Sequence, residues 1–164
     1  MQGMTKRERQ ITDPDQIKAI LDNAKVLHLG LCVDNEPYVV PMNYGYTMED
    51  GKLTLYLHSA VRGKKLDMIR ENPKVFFEMC CDVTPFEGKV ACQYGTTYAS
   101  VMGLGTAEIL EVPEDKIDGL VKFMKTQTGK DFTFDERMVS IVSVIKITAT
   151  DFTAKKRPLP LGMR

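Results

Sequence analysis

The stretch Leu57-His58-Ser59-Ala60-Val61-Arg62-Gly63-Lys64-Lys65-Leu66 concentrates the chemistry of this chain. A strand pattern ends in it, a turn follows, and a helix pattern begins at Gly63 or Lys64. The first backbone N–H groups of a helix have no partner within the helix, and the helix start carries partial positive charge. The Ser59 hydroxyl and the side chains of Arg62, Lys64 and Lys65 add donors at the same place. Gly63 lets the backbone approach a ligand closely. Such a set suits a phosphate monoester. An ordinary solvated basic loop has the same composition, so the residues alone leave both readings open. The loop is not a nucleotide P-loop, because GxxxxGK[ST] is absent.

His58 ends the strand beside this loop. A histidine titrates near neutrality, so His58 is a candidate proton donor, or a strand-end residue with local hydrogen bonds. The other histidine, His28, lies inside an apolar strand pattern, where a structural role is the simpler reading. Two histidines thirty residues apart, with no Cys or carboxylate at ligand spacing, make a poor metal site. The four cysteines, Cys32, Cys80, Cys81 and Cys92, form no CxxC pair and read as core thiols. There is no GxSxG elbow, no HExxH and no GxGxxG between a strand and a helix. A hydrolase therefore has no visible nucleophile, and any redox chemistry has to come from a cofactor.

The elements that position these residues read mostly as strands. Asp13 caps a short helix that starts with Pro14 and runs to about Asn23. Val26–Val33 is a buried strand, Asp34-Asn35-Glu36 a turn, and Pro37–Tyr46 a second strand. Pro41 lies in the middle of that strand and cannot donate to a ladder, which points to an edge or a bulge. Glu49-Asp50-Gly51 turns into a third strand, Leu53–Leu57. Lys64–Glu71 is a helix stopped by Asn72-Pro73. A fourth strand spans Val75–Cys81, and residues 82–95 are loop-like. A long fifth strand spans Thr97–Leu110, with a bend or bulge at Gly103 and Gly105. Pro113 opens a helix with Ile117, Leu120, Val121 and Met124 on one face. Residues 126–135 form a loop, Met138–Ile147 a sixth strand, and residues 148–164 an extended tail. Residues 1–11 form a charged arm. The early hairpins are too tight for helical crossovers, so the sheet is antiparallel. Six strands in so short a chain suggest a small barrel.

Composition narrows the function classes. The 164 residues fit a single domain spanning 1–164, and 27% charged against 43% hydrophobic residues reads as globular. Lys+Arg and Asp+Glu both number 22, so no basic excess favours nucleic acid or an anionic membrane. No apolar run approaches the ~18 residues that span a bilayer. The first ten residues lack a signal-peptide core, so a cytoplasmic location is expected.

Residues 37–46, Leu55-Tyr56-Leu57-His58-Ser59-Ala60, Gly63-Lys64-Lys65, Asn72-Pro73, Tyr98-Ala99-Ser100-Val101-Met102-Gly103, Gly105-Thr106-Ala107-Glu108 and Lys155-Lys156-Arg157 follow one another in an order with a known likeness. Together they resemble the pyridoxamine 5′-phosphate oxidase-like flavin-binding family, and its nitroimidazole-resistance branch most of all. The likeness runs from about residue 8 to residue 157. It implies a mainly β fold, a six-stranded antiparallel split barrel of Greek-key type. It also implies a homodimer with FMN, or FAD, at the subunit interface, and a small-molecule substrate. By resemblance Ser59, Ala60, Arg62, Gly63, Lys64 and Lys65 surround the phosphate. Pro41, Met42, Asn43 and Tyr44 lie along the flavin ring, Ser100 and Val101 approach from the second subunit, and His58 stands near ring and substrate. Ala99 departs from the branch, which commonly has Arg before Ser-Val.

Two classes of function follow from the resemblance: a flavin-dependent oxidoreductase acting on small acceptors such as nitro compounds, or a flavin- or haem-binding protein without turnover. A structural dimer without cofactor is the third reading.

Overall fold

The computed structural model describes residues 5–160. Its order is β1 (Gln10–Ile11), α1 (Pro14–Asn23), β2 (Val26–Val33), β3 (Glu36–Asn43), β4 (Gly45–Glu49), β5 (Lys52–Ser59), α2 (Lys64–Glu71), β6 (Lys74–Phe86), β7 (Gly95–Leu110), α3 (Pro113–Thr128), α4 (Glu136–Ser140) and β8 (Ser143–Arg157). The fold is mainly β. All strand pairs are antiparallel, and the hydrogen-bonded order is β3-β2-β6-β7-β8-β5-β4, with β1 added to β8. This architecture fits the split-barrel class. The ladder runs open from β3 to β4.

The sheet has eight strands where the sequence pattern suggests six. The expected strand over 37–46 divides at Tyr44 into β3 and β4. Tyr44 turns fully inward, and its hydroxyl lies 2.7 Å from the Leu21 carbonyl and 2.8 Å from that of Ala24. Those carbonyls belong to the C-terminal end of α1, where no intrahelical partner exists. The eighth strand comes from the arm over 1–11: Gln10 and Ile11 pair with Lys155 and Ala154. Residues 1–4 of that arm and 161–164 of the tail lie outside the described residues. The expected strand over 138–147 starts only at Ser143, because Asp135 accepts from the Met138 N–H and caps a helical turn over Glu136–Ser140. β6 and β8 run past their expected ends, to Phe86 and Arg157.

Other expectations hold. Asp13 accepts from the Asp15 N–H and from the Gln16 amide at the start of α1. β3 pairs with β2 alone, so Pro41 lies on a strand at the end of the ladder. The β7–β8 register shifts between Leu104 and Gly105.

The core follows from strand alternation. Leu27, Leu29 and Leu31 on β2, Phe77 and Met79 on β6, Val101 on β7 and Leu55 and Leu57 on β5 are buried together. Helix α1 adds Ile17, Ile20 and Leu21, and α2 adds Leu66, Met68 and Ile69. A second small cluster of Leu110, Leu120, Val139 and Val144 lies under α3 and α4.

Candidate functional site

The loop between β5 and α2 is built from both ends. Leu57 anchors β5 in the core, so His58 turns to the outer face and Ser59 pairs with Ser143 on β8. Leu66 and Ile69 anchor α2. Gly63 joins the two with φ 145°, a backbone state that L side chains rarely adopt, and an added Cβ would meet open space. Its carbonyl accepts from the N–H groups of Leu66 and Asp67 and so starts the helix. The N–H groups of Lys64 and Lys65 precede these bonds and have no carbonyl within the helix to take them.

Around this helix start, Ala60, Arg62, Gly63 and Lys64 are exposed and Lys65 is half-buried. The Lys64 ammonium sits 5.3 Å from the centre of the Tyr38 ring on β3. The Ser59 hydroxyl donates to the Ala60 carbonyl at 2.9 Å, which leaves its oxygen free to accept. Three cationic side chains and a run of unpaired N–H groups thus meet at one open place. The donors match the oxygens of a phosphate in number and sign.

The residues expected along a flavin ring divide by strand alternation. Pro41 and Asn43 face outward and are exposed, while Met42 and Tyr44 face the core. Asn43 donates to the Lys25 carbonyl at 2.9 Å, which leaves its side-chain oxygen as an acceptor. A ligand on β3 therefore meets backbone at Met42 and Tyr44, not their side chains. β3 and β5 touch, and Lys64 reaches the Tyr38 ring, so the start of α2 lies beside β3.

Ser100 and Val101 lie on β7, separated from β3 by β2 and β6. Val101 is fully buried in the core. Ser100 lies in the outer-face register between Cys80 and Lys155 and is itself buried, 5% exposed. Ala99, where the branch commonly has Arg, is buried and paired with Lys156.

His58 packs edge-on against Phe123 of α3, with ring centres 4.7 Å apart. Burial there pulls its pKa below the ordinary histidine value. The imidazole is therefore neutral at pH 7. It can accept a proton or share its own N–H, but it is a weak reservoir of the imidazolium form.

One pair escapes a reading of the sequence. His28 Nδ1 and Glu78 Oε2 lie 3.1 Å apart on the outer face, from residues fifty positions apart. The strand registers align Pro41, His28, Glu78, Met102 and Thr153 in one row across β3, β2, β6, β7 and β8. The next row is Val39, Gly30, Phe76, Leu104 and Asp151. Val39 is 63% exposed, Leu104 42% and Phe76 38%, so the centre of this face is an open apolar surface.

Residues 13–156 match the protein family described as pyridoxamine 5′-phosphate oxidase. Among solved structures, a protein from Bacteroides thetaiotaomicron assigned to 5-nitroimidazole antibiotic resistance is 31% identical, with 90% of this chain and 86% of that chain covered and a TM-score of 0.75. A flavocytochrome from Azotobacter vinelandii is 19% identical over 96% of this chain and 73% of that one, at a TM-score of 0.77. An FAD- and haem-binding protein from Mycobacterium smegmatis is 15% identical over 93% and 75%, also at 0.77. The last two likenesses show the fold alone. No curated protein matches the chain.

Proposed function

The chain belongs to the pyridoxamine 5′-phosphate oxidase family, and on that premise we propose that it binds FMN and uses it as a reductase of small organic acceptors such as nitro compounds. The observation that carries this reading is the start of α2. Arg62, Lys64 and Lys65 surround unpaired N–H groups there, beside β3, whose Tyr38 ring Lys64 reaches. Lys64, Lys65 and Ser59 hold the phosphate. The backbone from Pro41 to Tyr44 and the Asn43 amide meet the ring edge, whose carbonyls and nitrogens need donors and acceptors. The bound flavin supplies the two-electron chemistry that no side chain of this protein supplies. The 31% identity to the nitroimidazole-resistance protein supports the acceptor class.

The active form is a homodimer of this split-barrel fold, pairing through the apolar outer face around Val39, Phe76 and Leu104. An exposed apolar sheet face of this kind is what a partner surface covers. Ser100, on the same face, then reaches the partner's flavin. His58 lies near the substrate and acts there as a neutral hydrogen-bonding group.

The test is to purify the protein and reduce it with NAD(P)H or dithionite. A nitroaromatic is then added under anaerobic conditions. Reoxidation of a yellow, FMN-containing dimer supports the proposal. Bound flavin or haem that no acceptor reoxidises would assign the chain a binding role without turnover.

A further inference from the structure

Reduction of an organic acceptor by hydride transfer consumes a second proton. His58 packs edge-on against Phe123, and burial there disfavours its charged form. The outer face holds a better arrangement. His28 is the register partner of Pro41, the exposed residue on the strand proposed to border the ring. Directly opposed residues on neighbouring strands have Cβ atoms ~4.5–5.5 Å apart. A planar group lying against Pro41 and Asn43 therefore comes within contact distance of the His28 imidazole. The His28 side chain is 49% exposed and that of Glu78 31%. Glu78 Oε2 faces Nδ1; in the tautomer with its hydrogen on Nδ1 that nitrogen donates to the carboxylate, and Nε2 has no partner among the described residues. The carboxylate fixes the ring orientation and offsets the charge of an imidazolium, the arrangement by which a histidine is readied for proton transfer.

We propose that His28, oriented by Glu78, donates the proton that completes reduction of the acceptor, with Glu78 as the positioning residue. This rests on the flavin reading above. A reduced flavin, once bound, would supply the acceptor with a hydride, that is two electrons and one proton. The Nε2–H bond of the His28 imidazolium breaks as a bond from hydrogen to the acceptor heteroatom forms, while Nδ1 keeps its hydrogen on Glu78. The acceptor has then gained two electrons and two protons, and neutral His28 regains its proton from water. Glu78 and Cys80 on β6 are the titratable groups on this part of the face. The facing positions of β3 are Val39, Pro41 and Asn43, and β7 presents Met102 beside Glu78.

The first readout is independent of turnover. The chain has two histidines, so a His58→Gln variant assigns both imidazoles by NMR. Addition of FMN to flavin-free protein is expected to shift the His28 ring signals. The second readout is reoxidation of dithionite-reduced protein by a nitroaromatic. His28→Ala is expected to bind FMN normally and to slow this step by ~10²–10⁴-fold, the usual range for a general acid. Free imidazole in the buffer restores part of the rate. Glu78→Gln slows the step less and keeps FMN. Three results overturn the inference while leaving the flavin reading intact: His28 signals that do not move on FMN binding, a His28→Ala rate equal to wild type, or a slow rate that imidazole does not rescue. A wild-type protein that takes up no FMN overturns both.

Discussion

Replacing Lys64 and Lys65 together by alanine separates binding of the phosphate from folding, because the two effects have opposite signs. Charge-assisted hydrogen bonds contribute roughly 1.5–3 kcal/mol each. Lys64 is exposed and Lys65 half-buried, so the lower end applies to both. The pair then contributes about 3 kcal/mol, or about a hundredfold in FMN affinity, and solvent screening keeps the expected loss between about tenfold and about a hundredfold. Folding responds differently. The buried face of α2 is Leu66, Met68 and Ile69, which the substitutions leave in place. Two positive charges next to a helix N-terminus oppose its dipole, and removing them is worth about 0.3–1 kcal/mol each. Loss of the Lys64 contact with the Tyr38 ring offsets about 0.5–1 kcal/mol of that gain. Flavin-free double variant is therefore expected to melt at or slightly above the wild-type temperature, while FMN titration by fluorescence quenching shows the weakened affinity. Wild-type affinity falls with added salt, and the variant's falls less. Unchanged FMN affinity with normal melting would refute the placement of the phosphate at the start of α2.

Three further outcomes follow from the geometry. Tyr44→Phe leaves the C-terminal carbonyls of α1 short of a buried donor and is expected to cost about 1–3 kcal/mol in urea unfolding. Gly45→Ala places a Cβ against the Phe123 backbone, a clash that pushes α3 off the sheet. The expected cost is about 3 kcal/mol or more, and loss of the ring-current effect of Phe123 on the His58 signals reads out the displacement. Burial lowers the His58 pKa in the folded state, so the unfolded chain binds this proton more readily. Stability therefore declines as pH falls below the unfolded value of about 6.5, until the folded value is passed. His58→Asn flattens that decline, and chemical denaturation at pH 5 and pH 7 measures it.

Much of this fold was legible because β alternation and turn chemistry are local. Asp34-Asn35 and Asp50-Gly51 adopt the positive φ values that tight hairpins need, and both turns lie where the residue types put them. The division of the strand at Tyr44 was not legible. It depends on a hydroxyl reaching carbonyls 20 and 23 residues earlier. The start of β8 was hidden by Met138 and Val139, which read as strand residues until Asp135 is recognised as a helix cap. The same contrast holds in the candidate site. The donors from Ser59 to Lys65 are contiguous, so one turn displays them all. The His28–Glu78 pair joins two strands, and each partner alone reads as an ordinary strand residue. The side chains of Met42, Tyr44 and Val101 are committed to the core, which alternation within β3 and β7 decides and a motif does not.

The central claim is that this chain holds FMN at the junction of β5, α2 and β3. The most direct measurement is absorption of the purified protein together with mass spectrometry of whatever it releases on denaturation, repeated after incubation with FMN and with FAD. A flavin spectrum, FMN as the released compound and about one FMN per chain are the results predicted here. A folded, colourless protein that takes up neither flavin would contradict the claim.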